Sequence, residues 1–299
     1  MGNEVKLPNV NLDNIGDETN ESNVTGKFSR KNYLDTKLGE GEKSKEIIIR
    51  LLPMNLENGN PFVKTHFHTV KVPKEMVGPG QKPYKSYLCL YKNDIDHDKF
   101  GKKCPFCELN KKLYEESLKE TDPVKKKELQ DLSIEYKSNE SVIVRCIERG
   151  KEDEGVKFWK FNLRQDQKDP YHTIINLYNK RKNEGIPNIL DINNGYDLTI
   201  TFTAGQPTPA PTIIDARVSS PLSSDEEQMK RWIYDEKKWQ DVFTPKDYNF
   251  LSLVSEMRVP WFDKTKNIWV DKHDDESYMK EKIANAITIK VVGIIKPNE

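Results

Sequence analysis

The chain has 299 residues, 48 Lys+Arg against 48 Asp+Glu, 35% hydrophobic residues and a mean hydropathy of −0.81. That length suits one large domain or two ordinary ones, and balanced charge selects neither nucleic acid nor an acidic partner, so the distribution of charge must decide. No apolar run approaches the ~18 residues of a membrane span, residues 1–30 carry no secretory h-region, and four cysteines exclude a disulfide scaffold and leave metal binding as the use of clustered Cys in a reducing compartment.

Residues 1–26 hold five acids, Lys6 as the one base and no aromatic residue, the composition of a disordered acidic arm. The β-branched run Lys45–Leu52 predicts a strand that Pro53 stops. Phe62–Val72 alternates, with Val63, Thr65, Phe67 and Thr69 on one face and His66, His68 and Val70 on the other. Tyr84–Leu90 reads as a short strand, and Glu108–Tyr136 as a helix or helical hairpin interrupted at Asp122-Pro123, with Leu113, Leu118, Leu129, Leu132 and Ile134 as its apolar positions.

Ser141–Glu148 and Val156–Leu163 predict a β-hairpin around the charged turn Gly150–Gly155. A helix over Pro170–Arg181 follows, then strands at Asp197–Phe202 and Thr212–Val218, an acid-led helix at Asp225–Gln240 and a terminal strand or buried segment at Ala284–Ile295. Short strands with helices inserted predict a mainly β (α+β) chain, fitted by a small barrel of the OB type with helical additions. The expected organisation is an arm at 1–26, a barrel core at 27–222 with an inserted subdomain that carries the clustered cysteines at about 62–138, and a helical extension with a terminal strand at 223–299.

The strongest chemical signal is Cys89 followed by Cys104-Pro105-Phe106-Cys107. A C-x-x-C turn with a third upstream thiolate suits a tetrahedral, closed zinc site. His66, His68 and His97 compete for the fourth position, with the two strand histidines ahead of the loop one. Cys146 sits in an apolar strand and reads as core. A redox pair would need a βαβ context, and a deaminase would need an H-x-E motif that is missing here.

Stretch 142–182 carries ten bases against six acids, a local charge of +4 in a neutral chain. A binder of single strands needs such a basic track with aromatic faces for stacking. On the strand over 156–163, Phe158 and Lys160 face one way, Trp159 and Phe161 the other. One face is expected in the core and the other exposed, so all four are candidate DNA contacts. Arg145 and Arg164 are candidate phosphate contacts, and Tyr84 and Tyr87 candidate stacking residues beside the metal site.

Several of these residues together resemble the single-stranded-DNA-binding, helix-destabilising proteins of T-even-type bacteriophages. The resemblance runs over about 33–250: Ile47–Pro53, Asn60-Pro61-Phe62, a strand histidine, Tyr84 and Cys89, Cys104–Cys107, Ser141–Cys146, Glu154-Gly155, Lys157–Phe161 and the acid-led helix. It implies an OB fold with one structural Zn2+ held by one His and three Cys, and counting from Pro61-Phe62 gives His68, Cys89, Cys104 and Cys107, with His66 as the alternative. It further implies a phage-encoded protein of the host cytoplasm that binds single-stranded DNA in replication, recombination and repair beside replisome or recombination proteins. Three departures stand out. The family's basic N-terminal cluster is approximated only by Arg30-Lys31, its acidic C-terminal tail is replaced by a largely apolar end, and its aromatic pair is replaced by Ser138-Asn139. Self-association and tail-mediated recruitment therefore have no support in the sequence.

Two other classes compete. A zinc-stabilised protein–protein adaptor or virion component would use Trp232, Trp239, Trp261 and Trp269 as a binding surface. An enzyme is not expected, because no H-E-x-x-H, phosphate loop or acid beside the His–Cys cluster is present.

Overall fold

The computed structural model describes residues 32–72, 83–95, 101–186, 188–204, 211–256, 261–263 and 268–270. The chain divides into two compact units, Met1–Phe67 with Asn139–Pro245, and His68–Ser138 with Lys246–Glu299. The arm, Arg30-Lys31, His97 and Ala284–Ile295 lie outside the described residues.

The first unit is built on an antiparallel sheet. Its strands are β1 (Ser44–Leu52), the start of β2 (Phe62–Lys71), β4 (Ser138–Glu148), β5 (Lys157–Asn162), β6 (Leu198–Thr203) and β7 (Thr212–Asp215). β3 (Tyr84–Leu88) belongs to the second unit. The order is β3-β2-β4-β1-β6-β7, with β5 added on β4. β4 therefore serves three partners: β2, β1 through Arg145–Glu148, and β5 through Ser141–Cys146. This branching of one long strand suits a small curled barrel of the OB type. Gly150 (φ 83) and Gly155 (φ 73) close the β4–β5 hairpin in a backbone region open to glycine, around a short 3-10 turn at Glu152–Glu154.

The core of this unit gathers Leu34, Ile47, Ile49, Leu51, Val142, Val144, Cys146, Trp159, Leu198 and Ile200 under helix α3 (Pro170–Asn183). Asp169 caps α3 by accepting from the His172 N–H at 3.0 Å, and Pro170 takes the first helical position. Cys146 is core as expected, and burial pushes its thiol up to about 12. The predicted helix over Asp225–Gln240 is two helices, α4 (Glu226–Ile233) and α5 (Trp239–Val242). Asp225 caps α4. Trp232 and Trp239 are buried, which removes them from the surface an adaptor would use.

The second unit contains the helical hairpin α1 (Pro105–Lys119) and α2 (Pro123–Glu135), with α6 (Tyr248–Glu256) packed on α1. Asp122-Pro123 breaks the helix as predicted: Asp122 accepts from the Val124 N–H at 2.9 Å and Pro123 opens α2. Leu113 and Leu129 are buried. Leu118 and Ile134 are exposed, contrary to expectation, because the hairpin buries the narrower stripe of Phe106, Leu113 and Ser117 against Leu129 and Ser133. A short pair, β8 (Trp261–Asp263) and β9 (Ile268–Val270), completes the described chain.

Candidate metal centre and nucleic-acid interface

Three local structures bring four ligands together in the second unit. Cys104 is the N-cap of α1 and Cys107 its third helical residue, so the C-x-x-C pair projects from one helix start. Helix N-termini favour thiolates there. Cys89 follows β3 and opens a tight turn: the Lys92 N–H points at its sulfur at 3.3 Å, and Asn93 donates from its side chain to the Cys89 carbonyl at 2.8 Å. His68 comes from β2, its ring against Phe106 at 5.2 Å between centroids.

The donor atoms of His68, Cys89, Cys104 and Cys107 all lie within 4.8 Å of one another. Cys89 and Cys107 sulfurs are 3.4 Å apart, and His68 Nε2 lies 3.4 Å from Cys104 Sγ and 3.6 Å from Cys107 Sγ. A tetrahedral ion with Zn–S of about 2.3 Å and Zn–N of about 2.0 Å separates its donors by about 3.5–3.8 Å. The set therefore fits one zinc ion. Its charge balance points the same way. Hydrogen bonds from Cys107 and Cys89 hold the Cys104 thiol far below its ordinary range, while Cys104 pushes Cys89 up to about 12 and Cys107 upward. Only one of three thiols so close ionises by itself, and a bound cation is what would let all three act as thiolates. Of the two strand histidines, His68 reaches the cluster and His66 does not belong to it. His66 and His68 share a face by alternation, and only the one opposite α1 meets the cysteines.

The nucleic-acid candidates divide differently. Phe158 is 0% and Trp159 2% exposed, and Phe161 and Arg145 are also buried. The expectation that one face of β5 is open is therefore corrected. Trp159 and Phe161 join the barrel core, their rings 4.6 Å apart. The other face is covered too. There Lys160 lies over the Phe67 ring at 4.0 Å, while Leu34 closes the strand's edge by donating its N–H to the Phe158 carbonyl at 3.0 Å. Phe67 meets Phe243 at 5.8 Å, and Phe243 meets Tyr33 at 5.7 Å. Burial lowers the Lys160 ammonium to about 8.

Arg145 points to the end of α4. Its Nη1 donates to the Ile233 carbonyl at 2.9 Å, and its Nη2 donates to Trp232 at 2.7 Å and Asp235 at 2.9 Å. It closes the orphan carbonyls of a helix, a role no local sequence signal announces. In the second unit Tyr87 is buried against Phe106 and Phe250, whereas Tyr84 is 56% exposed. Tyr91, which sequence reasoning passed over, is also exposed two residues after Cys89. Arg164 is exposed in a fork with Asp166, both contacts at 3.0 Å.

No helix among the described residues is long and apolar enough to cross a membrane. No curated protein matches the chain. The family model described as gp32 DNA binding protein like matches residues 43–249, which contain the barrel strands, the helical hairpin and all four ligands of the cluster. The chain belongs to the gp32 DNA binding protein like family.

Proposed function

We propose that this chain coats single-stranded DNA without reading its sequence, in phage DNA replication, recombination and repair in the host cytoplasm, with one structural zinc ion. The observation that carries the reading is the family match across 43–249. The four-ligand cluster inside that span supports it. Binding is thermodynamic rather than chemical: a protein that holds single strands and not duplex shifts melting toward separated strands. Exposed Tyr84 and Arg164 support stacking and phosphate contact. The ion would be held by His68, Cys89, Cys104 and Cys107 and would supply a cross-link with charge neutralisation. The residues around it fix the end of β2, the Cys89 turn and the start of α1.

The test is fluorescence anisotropy of a labelled dT oligomer and its matched duplex at two salt concentrations, with zinc counted on the same sample. Tight, single-strand-preferring binding that weakens steeply with salt is expected, because phosphate contacts release counterions. Affinity that does not change with salt overturns the mechanism.

A protein partner, such as a replisome or recombination protein or a virion component, is favoured by one observation. Tyr114, Leu118, Val124 and Ile134 leave apolar surface exposed on the α1–α2 hairpin. A stable partner in a pull-down, together with no oligonucleotide binding, would make the chain an adaptor instead.

A further inference from the structure

We propose that the cleft beside the end of α4 seats one unpaired nucleobase, with Tyr234 as its stacking face and Lys237 and Lys238 holding the flanking phosphates. This rests on the single-strand reading above and adds a subsite to it. The cleft has a volume of 260 Å³ and lies within the first unit, lined among others by Leu56, Arg145, Tyr234, Lys237, Lys238 and Trp239. That volume is just below the range of drug-sized pockets, about 300–1,000 Å³, and suits a single ring system rather than a peptide segment.

Three features define the ligand. Apolar and aromatic walls are present on a chain whose substrate carries unpaired π-faces. Tyr234 is 46% exposed although large and aromatic, and it follows α4 as its C-cap, outside the buried set of Met229, Trp232 and Ile233. Second, Arg145 lines the wall as a buried guanidinium. Its Nη atoms donate to three carbonyls, and its buried Nε–H meets no acceptor. The guanidinium nevertheless brings positive charge to that wall, which suits a polar ligand better than an aliphatic side chain. Third, the rim carries both signs. Asp235 and Glu236 accompany Lys237 and Lys238, and Lys237 lies 3.4 Å from the Asp235 carboxylate. Mixed charge disfavours a bare anion or an acidic peptide. It suits a neutral polar ring whose phosphates pass the lysines outside. A nucleotide of a single strand has that distribution of charge and apolar surface.

The experiment uses the full zinc-loaded chain and two labelled probes, a short dT oligomer and the same backbone carrying abasic sites. Wild type is expected to bind dT and to lose affinity on the abasic backbone. Tyr234→Ala is expected to bind dT roughly 5- to 100-fold more weakly, the effect of one lost stacking contact, with a smaller difference between the two probes. Tyr234→Phe keeps the ring and is expected to bind as wild type. If Tyr234→Ala lowers zinc content or melting temperature, Leu56→Glu, an acid on the exposed rim, replaces it as the weakening variant. Tyr234→Ala or Leu56→Glu binding dT as wild type overturns the pocket. Wild type failing to bind dT at all overturns the single-strand reading itself, a different outcome read from a different sample.

Discussion

The Nδ1 atom of His68 lies 2.8 Å from the main-chain carbonyl of Tyr136, the residue that ends α2. A carbonyl only accepts, so Nδ1 carries the proton and Nε2 presents its lone pair to the cysteines. The helical hairpin thus fixes the tautomer that a metal needs. His68→Ala is expected to lose zinc, whereas His66→Ala keeps one ion per chain. Metal counting on the two purified variants decides between them.

Cys104→Ser and Cys107→Ser each remove a ligand from the start of α1. Structural zinc contributes its binding energy to folding. The loss is expected to lower the melting temperature by roughly 10 °C or more for a chain of this size, and a chelator applied to wild type should reproduce it. A variant that loses zinc yet melts with wild type would show that the ion is not structural.

Lys160 gives a dependence on pH. Its ordinary value is 10.5 and the folded chain lowers it to about 8 by burial. Below pH 8 both states carry the charge, and the folded state bears its desolvation. Between pH 8 and 10.5 the folded chain has released a proton that the unfolded chain retains, so stability rises with pH across that window. Lys160→Met is expected to stabilise the protein at pH 7 by up to about 3 kcal/mol, less what the contact over Phe67 contributes. The gain should disappear near pH 10.5. Urea unfolding of both proteins at pH 7 and pH 10 measures the difference.

Asp197 stands between two arginines. It accepts from Arg149 Nε at 3.1 Å and Nη2 at 3.0 Å, and it lies 3.5 Å from Nη1 of the fully buried Arg50. Arg50 also donates to the Ser220 carbonyl, so the network ties the chain at Ser220 to β1. Removing one member of such a group leaves buried charge uncompensated, at a cost of about 3–5 kcal/mol. Asp197→Asn is expected to show a loss of that order in chemical denaturation.

Arg164 supplies the contrast. It is exposed and paired with an exposed acid, so Arg164→Ala should leave the unfolding midpoint where it is. If its guanidinium meets a phosphate, the variant's log–log salt slope for dT binding falls by about 0.7. An unchanged slope would remove Arg164 from the interface.

The strands, the break at Asp122-Pro123 and the cysteine knuckle were legible because each is written locally, in alternation, proline placement or spacing. The choice of His68 over His66 was not, since both share a face and the decision comes from α1 and the Cys89 turn. The faces of the 156–163 strand were misread for a similar reason. Trp159 and Phe161 do face a core, but the cover over the other face comes from Phe67 and Phe243, both distant in sequence. Alternation reports that a strand has two faces and is silent on whether something distant covers the second. Arg145 shows the same limit for charge: a base in a strand looks like a phosphate contact until a helix end supplies three carbonyls.

The cap that Arg145 places on α4 also constrains the order of folding. An eight-residue helix has little persistence of its own, and its last carbonyls are answered by a side chain 88 residues earlier. α4 can be stable only after β4 has found its neighbours in the sheet, which makes it a late element of high sequence separation. Its amides should therefore exchange with solvent through openings of the barrel strands rather than by fraying alone.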